Sequence, residues 1–188
     1  MAILKWRLED DVDDYVKTIL ESLGLKKLID YNVKSGMSDY MKESLKGSAK
    51  TKKKANFGIP DVHIEKYKIP VVIEDKLGVN KLISQNKNGI KLDDKSVANY
   101  AVNGAIFYAQ NMVASDKYKE VIAIGIAGDS EENVKINVYY VYGSMADPKY
   151  MEMYTSLDFL ENEETFENFY NDAILSEQDK HNILISTQ

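Results

Sequence analysis

Residues 58–77 read GIPDVHIEKYKIPVVIEDKL, and this stretch decides the fold. Two apolar segments, near 59–66 and 70–76, are separated by a charged turn. Short apolar runs of this length, bounded by turn residues, are typical of strands. The stretch therefore predicts a β-hairpin, and the rest of the chain can be understood as a scaffold for it.

Charged residues also occur at the end of this hairpin opposite its turn. Asp61 opens the first strand, whereas Glu74 and Lys76 close the second. Because side chains alternate along a strand, Glu74 and Lys76 face one side and Asp75 faces the other, towards the first helix or solvent. If the strands pair, Asp61 lies close to Glu74. Two carboxylates and an amine would then meet, which is the chemistry that a divalent metal and an attacking water need.

The segments around the hairpin predict a mixed α/β domain. The predicted elements outside it are a helix at 8–22, a strand at 28–33, a helix at 96–114 capped by Ser96, strands at 121–127 and 134–142, and an acidic helix from residue 147 onward. The connection at 35–57 is predicted to be a long loop or a marginal helix, and the one at 78–95 to be irregular. This order predicts one domain, residues 1–188, with a mixed sheet flanked by helices.

Composition excludes several classes of protein. The chain has no cysteine, which excludes a disulfide framework and a thiolate metal site. Neither a phosphate-binding loop nor a nucleophile elbow occurs. No apolar signal segment is visible, and no uncharged apolar run approaches the ~20 residues of a membrane helix. We therefore expect a soluble cytoplasmic protein without a membrane partner.

Charge is distributed unevenly along the chain. The net charge is -6, and residues 152–179 carry nine acids and no basic residue, whereas residues 42–54 carry six lysines and one glutamate. A local basic patch can bind phosphate although the whole chain is acidic. A solvated flexible loop is the alternative interpretation of the same lysine-rich run.

The charged motif resembles that of a known superfamily. Pro60-Asp61, twelve intervening residues and then Glu74-Asp75-Lys76 resemble the Pro-Asp…(Asp/Glu)-x-Lys motif, PD-(D/E)xK, of the restriction-endonuclease-like nucleases. The predicted order of elements also resembles their α-β-β-β-α-β core. The helix at 96–114 is similar to the Gln/Tyr-bearing helix that follows the motif in the N-terminal nuclease domains of type I and type IIG restriction–modification enzymes.

The resemblance implies a metal-dependent deoxyribonuclease that hydrolyses phosphodiester bonds with Mg²⁺, or with Mn²⁺ in its place. Asp61 and Glu74 would hold the metal, helped by the main-chain carbonyl of Asp75. Lys76 would orient or deprotonate the attacking water and stabilise the developing charge. In the competing interpretation, Glu74 and Lys76 form a surface ion pair, which is worth little.

In this superfamily the first helix often supplies a further carboxylate. Asp13 is the best match in this chain, with Glu9 and Glu21 as rivals. The candidates for DNA contacts are Lys50, Lys52, Lys53, Lys54, Asn99, Asn103 and Tyr108. Asn99 and Asn103 are four residues apart, so they would share one face of a continuous helix, either towards a phosphate or towards solvent.

The resemblance also implies partners. DNA is the expected substrate, and methyltransferase or specificity domains or subunits would accompany the nuclease in a longer restriction–modification polypeptide. The alternative function is a non-catalytic domain that keeps the fold and binds nucleic acid or another protein.

Overall fold

The predicted hairpin lies within a larger sheet. The computed structural model describes residues 4–48, 58–143 and 148–175. Strand β2 (Val62–Ile64) pairs antiparallel with β3 (Val71–Leu77), and Val62 lies opposite Ile73. The hairpin prediction is therefore confirmed, although β2 is shorter than expected.

Four of the remaining strands extend this hairpin on both sides, and two form a hairpin of their own. They are β1 (Tyr31–Val33), β4 (Gln85–Asn86), β5 (Gly89–Ile90), β6 (Glu120–Ser130), β7 (Asn133–Tyr142) and β8 (Lys149–Tyr150). Within the described residues, six strands form one sheet in the order β1-β2-β3-β6-β7-β8, and β4 pairs with β5 in a separate small hairpin. Strands β3 and β6 are parallel, whereas the other neighbours are antiparallel, so the sheet is mixed.

Helices cover both faces of the sheet. They are α1 (Glu9–Ser22), α2 (Asp39–Ser44), α3 (Asp94–Asn99), α4 (Ala101–Ala114) and α5 (Glu163–Ile174). One apolar core lies between the sheet and α1 and α5, and a second lies between the sheet and α2 and α4. The expected α/β fold with a mixed sheet flanked by helices is thus confirmed. In the described part of the chain, no helix is long and apolar enough to cross a membrane.

Strand β6 serves both cores, and the alternation of its side chains explains how. Ile122, Ile124 and Ile126 belong to the α1 and α5 core, whereas the residues between them face α4. Helix α4 comes very close to this strand: a Cβ added at Gly125 would lie 2.6 Å from the Val102 backbone nitrogen. A glycine here therefore permits the close helix–sheet contact that a side chain would prevent.

The prediction of one continuous helix over 96–114 was wrong. Tyr100 separates α3 from α4 with extended dihedrals, φ -123° and ψ 135°. The N-cap of α3 is Asp93 and not Ser96, because the Asp93 carboxylate accepts a hydrogen bond from the Ser96 amide at 3.2 Å. Asn99 and Asn103 consequently lie on different helices and do not share a face.

Other boundaries also differ from the prediction. The first strand covers Tyr31–Val33 and not 28–33, since Leu28 has a positive φ of 73°. The irregular connection at 78–95 contains the β4–β5 hairpin, and α2 lies within the segment predicted to be a loop or marginal helix. The acidic segment from residue 147 becomes helical only at Glu163, after β8 and a short 3₁₀ turn.

Candidate metal centre

Hairpin pairing brings Asp61 and Glu74 together. Val62 lies opposite Ile73, so the next pair outward in this register is Asp61 and Glu74. Their carboxyl groups lie close enough that Glu74 lowers the pKa of Asp61. Both side chains are buried. The sequence pattern thus predicted a contact that the structure contains.

Asp61 is the central member of this group. The Asp75 amide donates a hydrogen bond to Asp61 Oδ2 at 3.0 Å, and the Lys34 ammonium lies 2.6 Å from Asp61 Oδ1. Burial alone would raise the pKa of Asp61. The contact with Glu74, the charge of Lys34 and the Asp75 amide outweigh burial and hold the pKa of Asp61 below its usual value. The two donors on its oxygens, the Lys34 ammonium and the Asp75 amide, thus favour the ionised form of Asp61.

Asp75 points to the other side of β3, as the alternation of side chains predicted. Its carboxyl group is fully buried and faces Asp13 of α1. Among the described residues, no donor reaches Asp13 Oδ1 or either carboxyl oxygen of Asp75, so the two acids can bond only by sharing a proton. Burial first, then the contact with Asp13 and the charges of Asp61 and Glu74, raises the pKa of Asp75.

Three carboxylates converge closely enough to hold a cation. Glu9, Asp61 and Asp75 each offer one oxygen, and these oxygens lie within 4.8 Å of one another. Oxygen ligands of this kind suit hard divalent cations such as Mg²⁺, Mn²⁺ and Ca²⁺. Because buried carboxylate oxygens without donors are costly, the residues present fit such a metal. The expected ligands were Asp61, Glu74, the main-chain carbonyl of Asp75 and Asp13. The observed set shares Asp61 with them but contains Glu9 and the side chain of Asp75 in place of the others.

Lys76 lies at the edge of this cluster. Its ammonium is 3.2 Å from Glu9 Oε1, and its side chain is largely buried. Burial alone would lower the pKa of Lys76, but the charges of Glu9 and Glu74 raise it above its usual value. The amine therefore stays protonated beside the acids and is not drawn to a distant ion pair.

Lys34 is a functional candidate that the sequence analysis missed. Its ammonium lies 2.6 Å from Asp61 and 3.4 Å from Asp13. The available signal was the pairing of β1 with β2: Val33 lies opposite Val62, so the following residue, Lys34, comes next to Asp61. The end of this strand at residue 33 was predicted, but its pairing with β2 was not, so the position of Lys34 could not be foreseen.

The structure distinguishes the two alternative carboxylates on α1, Glu9 and Glu21. Glu9 belongs to the carboxylate cluster, whereas Glu21 accepts a hydrogen bond from the Tyr31 hydroxyl at 3.2 Å. Twelve residues of helix, about 18 Å, separate the two glutamates. Glu21 is therefore too far away to be a ligand.

The candidates for DNA contacts are dispersed. Lys50, Lys52, Lys53 and Lys54 lie outside the described residues. Asn99 is exposed at the end of α3. Tyr108 is buried against Gly58, and burial followed by the charge of Glu74 raises its pKa.

Asn103 is fully buried and holds the β4–β5 hairpin at its base. Its amide oxygen accepts from the Ser84 amide at 3.0 Å, and its amide nitrogen donates to the carbonyls of Ser84 and Lys91, both at 2.7 Å. Its polar atoms are thus engaged with the protein backbone and not directed towards solvent.

The fold and the site together define a mixed α/β domain with a carboxylate cluster and two lysines at one end of its central hairpin. The chain is 33% identical over 171 residues to RM.BcgI of Heyndrickxia coagulans, a type II restriction enzyme and methyltransferase. The alignment covers 89% of this chain and 25% of that protein, so the chain spans about a quarter of the length of this curated relative. The similarity fits a restriction-enzyme-like nuclease. No family model matches the chain, and no solved structure matches it.

Proposed function

We propose that this chain is a metal-dependent endonuclease domain that hydrolyses phosphodiester bonds in DNA, with Mg²⁺ or alternatively Mn²⁺. The observation that carries the proposal is the convergence of Glu9, Asp61 and Asp75 beside the ammonium of Lys76. The similarity to a restriction enzyme supports the same conclusion, because it covers most of this chain. The domain would be the cleavage module of a restriction–modification enzyme.

The acids of the site would hold the metal. Asp61 is the shared member of the expected set and of the observed cluster, Glu74 contacts it, and Glu9 and Asp75 approach from the other side. The main-chain carbonyl of Asp75 remains a predicted ligand. The metal would lower the pKa of a bound water and offset the charge of the scissile phosphate.

Lys76 would stabilise charge. An ammonium paired with Glu9 is protonated and has no lone pair, so it can donate hydrogen bonds but cannot accept a proton. We therefore favour a role in orienting the water and in stabilising the negative charge that develops on the phosphate, rather than a role as general base. Water adds to phosphorus, and the ester oxygen leaves with a proton.

The partners follow from the same proposal. DNA would be the substrate, and methyltransferase and specificity domains would act with this module, because the relative combines a restriction enzyme with a methyltransferase. The runner-up is a non-catalytic domain of the same fold, which would bind nucleic acid or protein without metal-dependent cutting.

The proposal is tested by plasmid cleavage in Mg²⁺ or Mn²⁺. We expect the wild type to cut and EDTA to stop it, and we expect Asp61→Asn and Lys76→Ala each to reduce the rate by about 100-fold or more. Lys68→Ala is the control, since it removes an exposed ion pair with Glu167 at 2.9 Å. Circular dichroism checks that each variant is folded. Cleavage by both site variants at the wild-type rate would refute the assignment.

A further inference from the structure

The ammonium of Lys34 occupies a position inside the acid cluster. It lies between Asp61, at 2.6 Å, and Asp13, at 3.4 Å. We propose that Lys34 is the counter-ion of the metal-free site, and that a divalent metal binds by displacing its ammonium. Lys34 would thereby set the affinity of the site for metal. This inference rests on the proposed function, because it concerns the same metal.

Both oxygens of Asp61 are already engaged. Oδ1 contacts the Lys34 ammonium, and Oδ2 accepts the amide hydrogen of Asp75. A cation bound to Oδ1 would share that oxygen with the ammonium, and two positive charges held by one carboxylate oxygen repel strongly in a partly buried site. Metal binding at Asp61 therefore requires the ammonium to move.

The structure gives Lys34 a fixed backbone and a movable side chain. Its amide donates to the carbonyl of Asp61 at 3.1 Å, and its carbonyl lies 3.0 Å from Nε2 of the buried His63. These contacts hold Lys34 in the left-handed region at φ 51°, which is uncommon for a residue other than glycine. In contrast, its side chain is 53% exposed, so the ammonium can swing into solvent while the backbone stays in place.

Lys34 and Lys76 pair with different carboxylates of the site. Lys76 pairs with Glu9, which is half exposed and can pair with the amine while offering its other oxygen elsewhere. Lys34 instead binds Asp61, the buried carboxylate common to every version of the site. Of the two lysines, Lys34 is therefore the one that competes with the metal for a carboxylate ligand.

The experiment is titration of Mn²⁺ into the metal-free protein by isothermal titration calorimetry, without DNA. Lys34→Asn removes the amine and introduces a residue that tolerates the left-handed backbone. Lys34→Met replaces the charged side chain by a long uncharged one. We expect both variants to bind Mn²⁺ at least about tenfold more tightly than the wild type. Lys34→Arg keeps the cation, so we expect no gain in affinity.

Lys66→Met is the matched control. It removes a lysine that pairs with Asp30 at 3.4 Å, in the turn between β2 and β3 and away from the acid cluster. We expect the control to bind Mn²⁺ as the wild type does. A second measurement is thermal unfolding in EDTA, where we expect the Lys34→Asn variant to melt below the wild type and to recover that difference when Mn²⁺ is added.

The outcomes separate this inference from the proposed function. Wild-type binding that is lost in Asp61→Asn but unchanged or weaker in both neutral Lys34 variants would overturn the displacement role and leave the metal site intact. Absence of Mn²⁺ binding in the wild type and in every Lys34 variant would overturn both. Binding in the neutral Lys34 variants alone would support displacement directly.

Discussion

At the scale of single residues, Asp75 is buried at a high electrostatic cost. Its carboxyl group is fully buried, and within the described residues its oxygens have no donor other than a proton shared with Asp13. Such a group is destabilising when it ionises without a counter-charge. The metal-free fold must therefore keep Asp75 protonated, and this gives the protein a measurable dependence on pH.

We expect the metal-free protein to lose stability as the pH rises from 7 to 9. The pKa of Asp75 is raised in the folded protein, so the folded state keeps a proton that the unfolded chain has released above pH 4. The free energy of unfolding should fall by about 1.4 kcal/mol per pH unit in this range. Urea denaturation in EDTA measures it.

Asp75→Asn provides the comparison for this prediction. The amide cannot ionise, so the slope between pH 7 and 9 should disappear. His63 does not interfere, because burial lowers its pKa and any loss of stability from it occurs as the pH falls below about 6.5. A wild type whose stability is flat in this range, or a variant that keeps the slope, would contradict the assignment.

The site residues differ in how far their positions could be predicted from the sequence. The placement of Asp61, Glu74 and Asp75 follows from strand register and alternation, which are local properties. Glu9 and Asp13 lie four residues apart on one face of α1, so the sequence could not decide between them without knowing how the helix is rotated on the sheet. The left-handed backbone at Lys34 left no trace in the sequence.

At the scale of elements, the break between α3 and α4 shows what periodicity cannot predict. The sequence over 94–114 has no helix-breaking residue at Tyr100. The Val102 amide donates to the carbonyl of Leu82 at 2.8 Å, and the Asn103 side chain bonds the backbone on both sides of the β4–β5 hairpin. A tertiary contact thus ends one helix and starts the next, and propensity gives no information about it.

We expect Asn103→Ala to destabilise the protein by about 3 kcal/mol. The change removes three hydrogen bonds and leaves the backbone groups of Ser84 and Lys91 without these partners. Urea unfolding measures the loss. Asn99→Ala is the control, because Asn99 is exposed and should change the free energy of unfolding by less than about 0.5 kcal/mol. Equal losses for the two variants would contradict the structural role of Asn103.

At the scale of the whole molecule, the fold was predictable because its main signals are long. The buried apolar strand near 121–127, the hairpin and the amphipathic first helix gave the fold class and the order of the principal elements. The small β4–β5 hairpin was not foreseen, and α2 was predicted only as the marginal-helix alternative over 35–57, since two-residue strands and six-residue helices have too few residues to show a period.

If DNA is the substrate, as we propose, the distribution of charge restricts how it can reach the site. The net charge is -6, and α5 exposes Glu163, Glu164 and Glu167. The site itself contains more acids than lysines when no metal is bound. Phosphate would therefore be repelled from the metal-free cluster and attracted once a divalent cation occupies it.

We expect the affinity for a short DNA duplex to rise by about tenfold or more when Ca²⁺ replaces EDTA at constant ionic strength. Ca²⁺ is chosen because it accepts oxygen ligands in a looser geometry than Mg²⁺. Fluorescence anisotropy of a labelled duplex measures the affinity. In the double variant Asp61→Asn with Glu74→Gln, two acids next to the phosphate are neutral, so we expect tighter binding in EDTA and little further gain from Ca²⁺.

The charge-matched control is Glu163→Gln with Glu164→Gln, which changes the net charge by the same amount on α5. If the field of the acid cluster governs DNA binding, this control keeps the weak binding in EDTA and the full response to Ca²⁺. If instead the control gains as much affinity in EDTA as the site variant, the net charge of the molecule governs binding and the cluster has no special part in it. The comparison therefore decides whether DNA approaches the end of the hairpin, because charges screened by salt act only over about 10 Å.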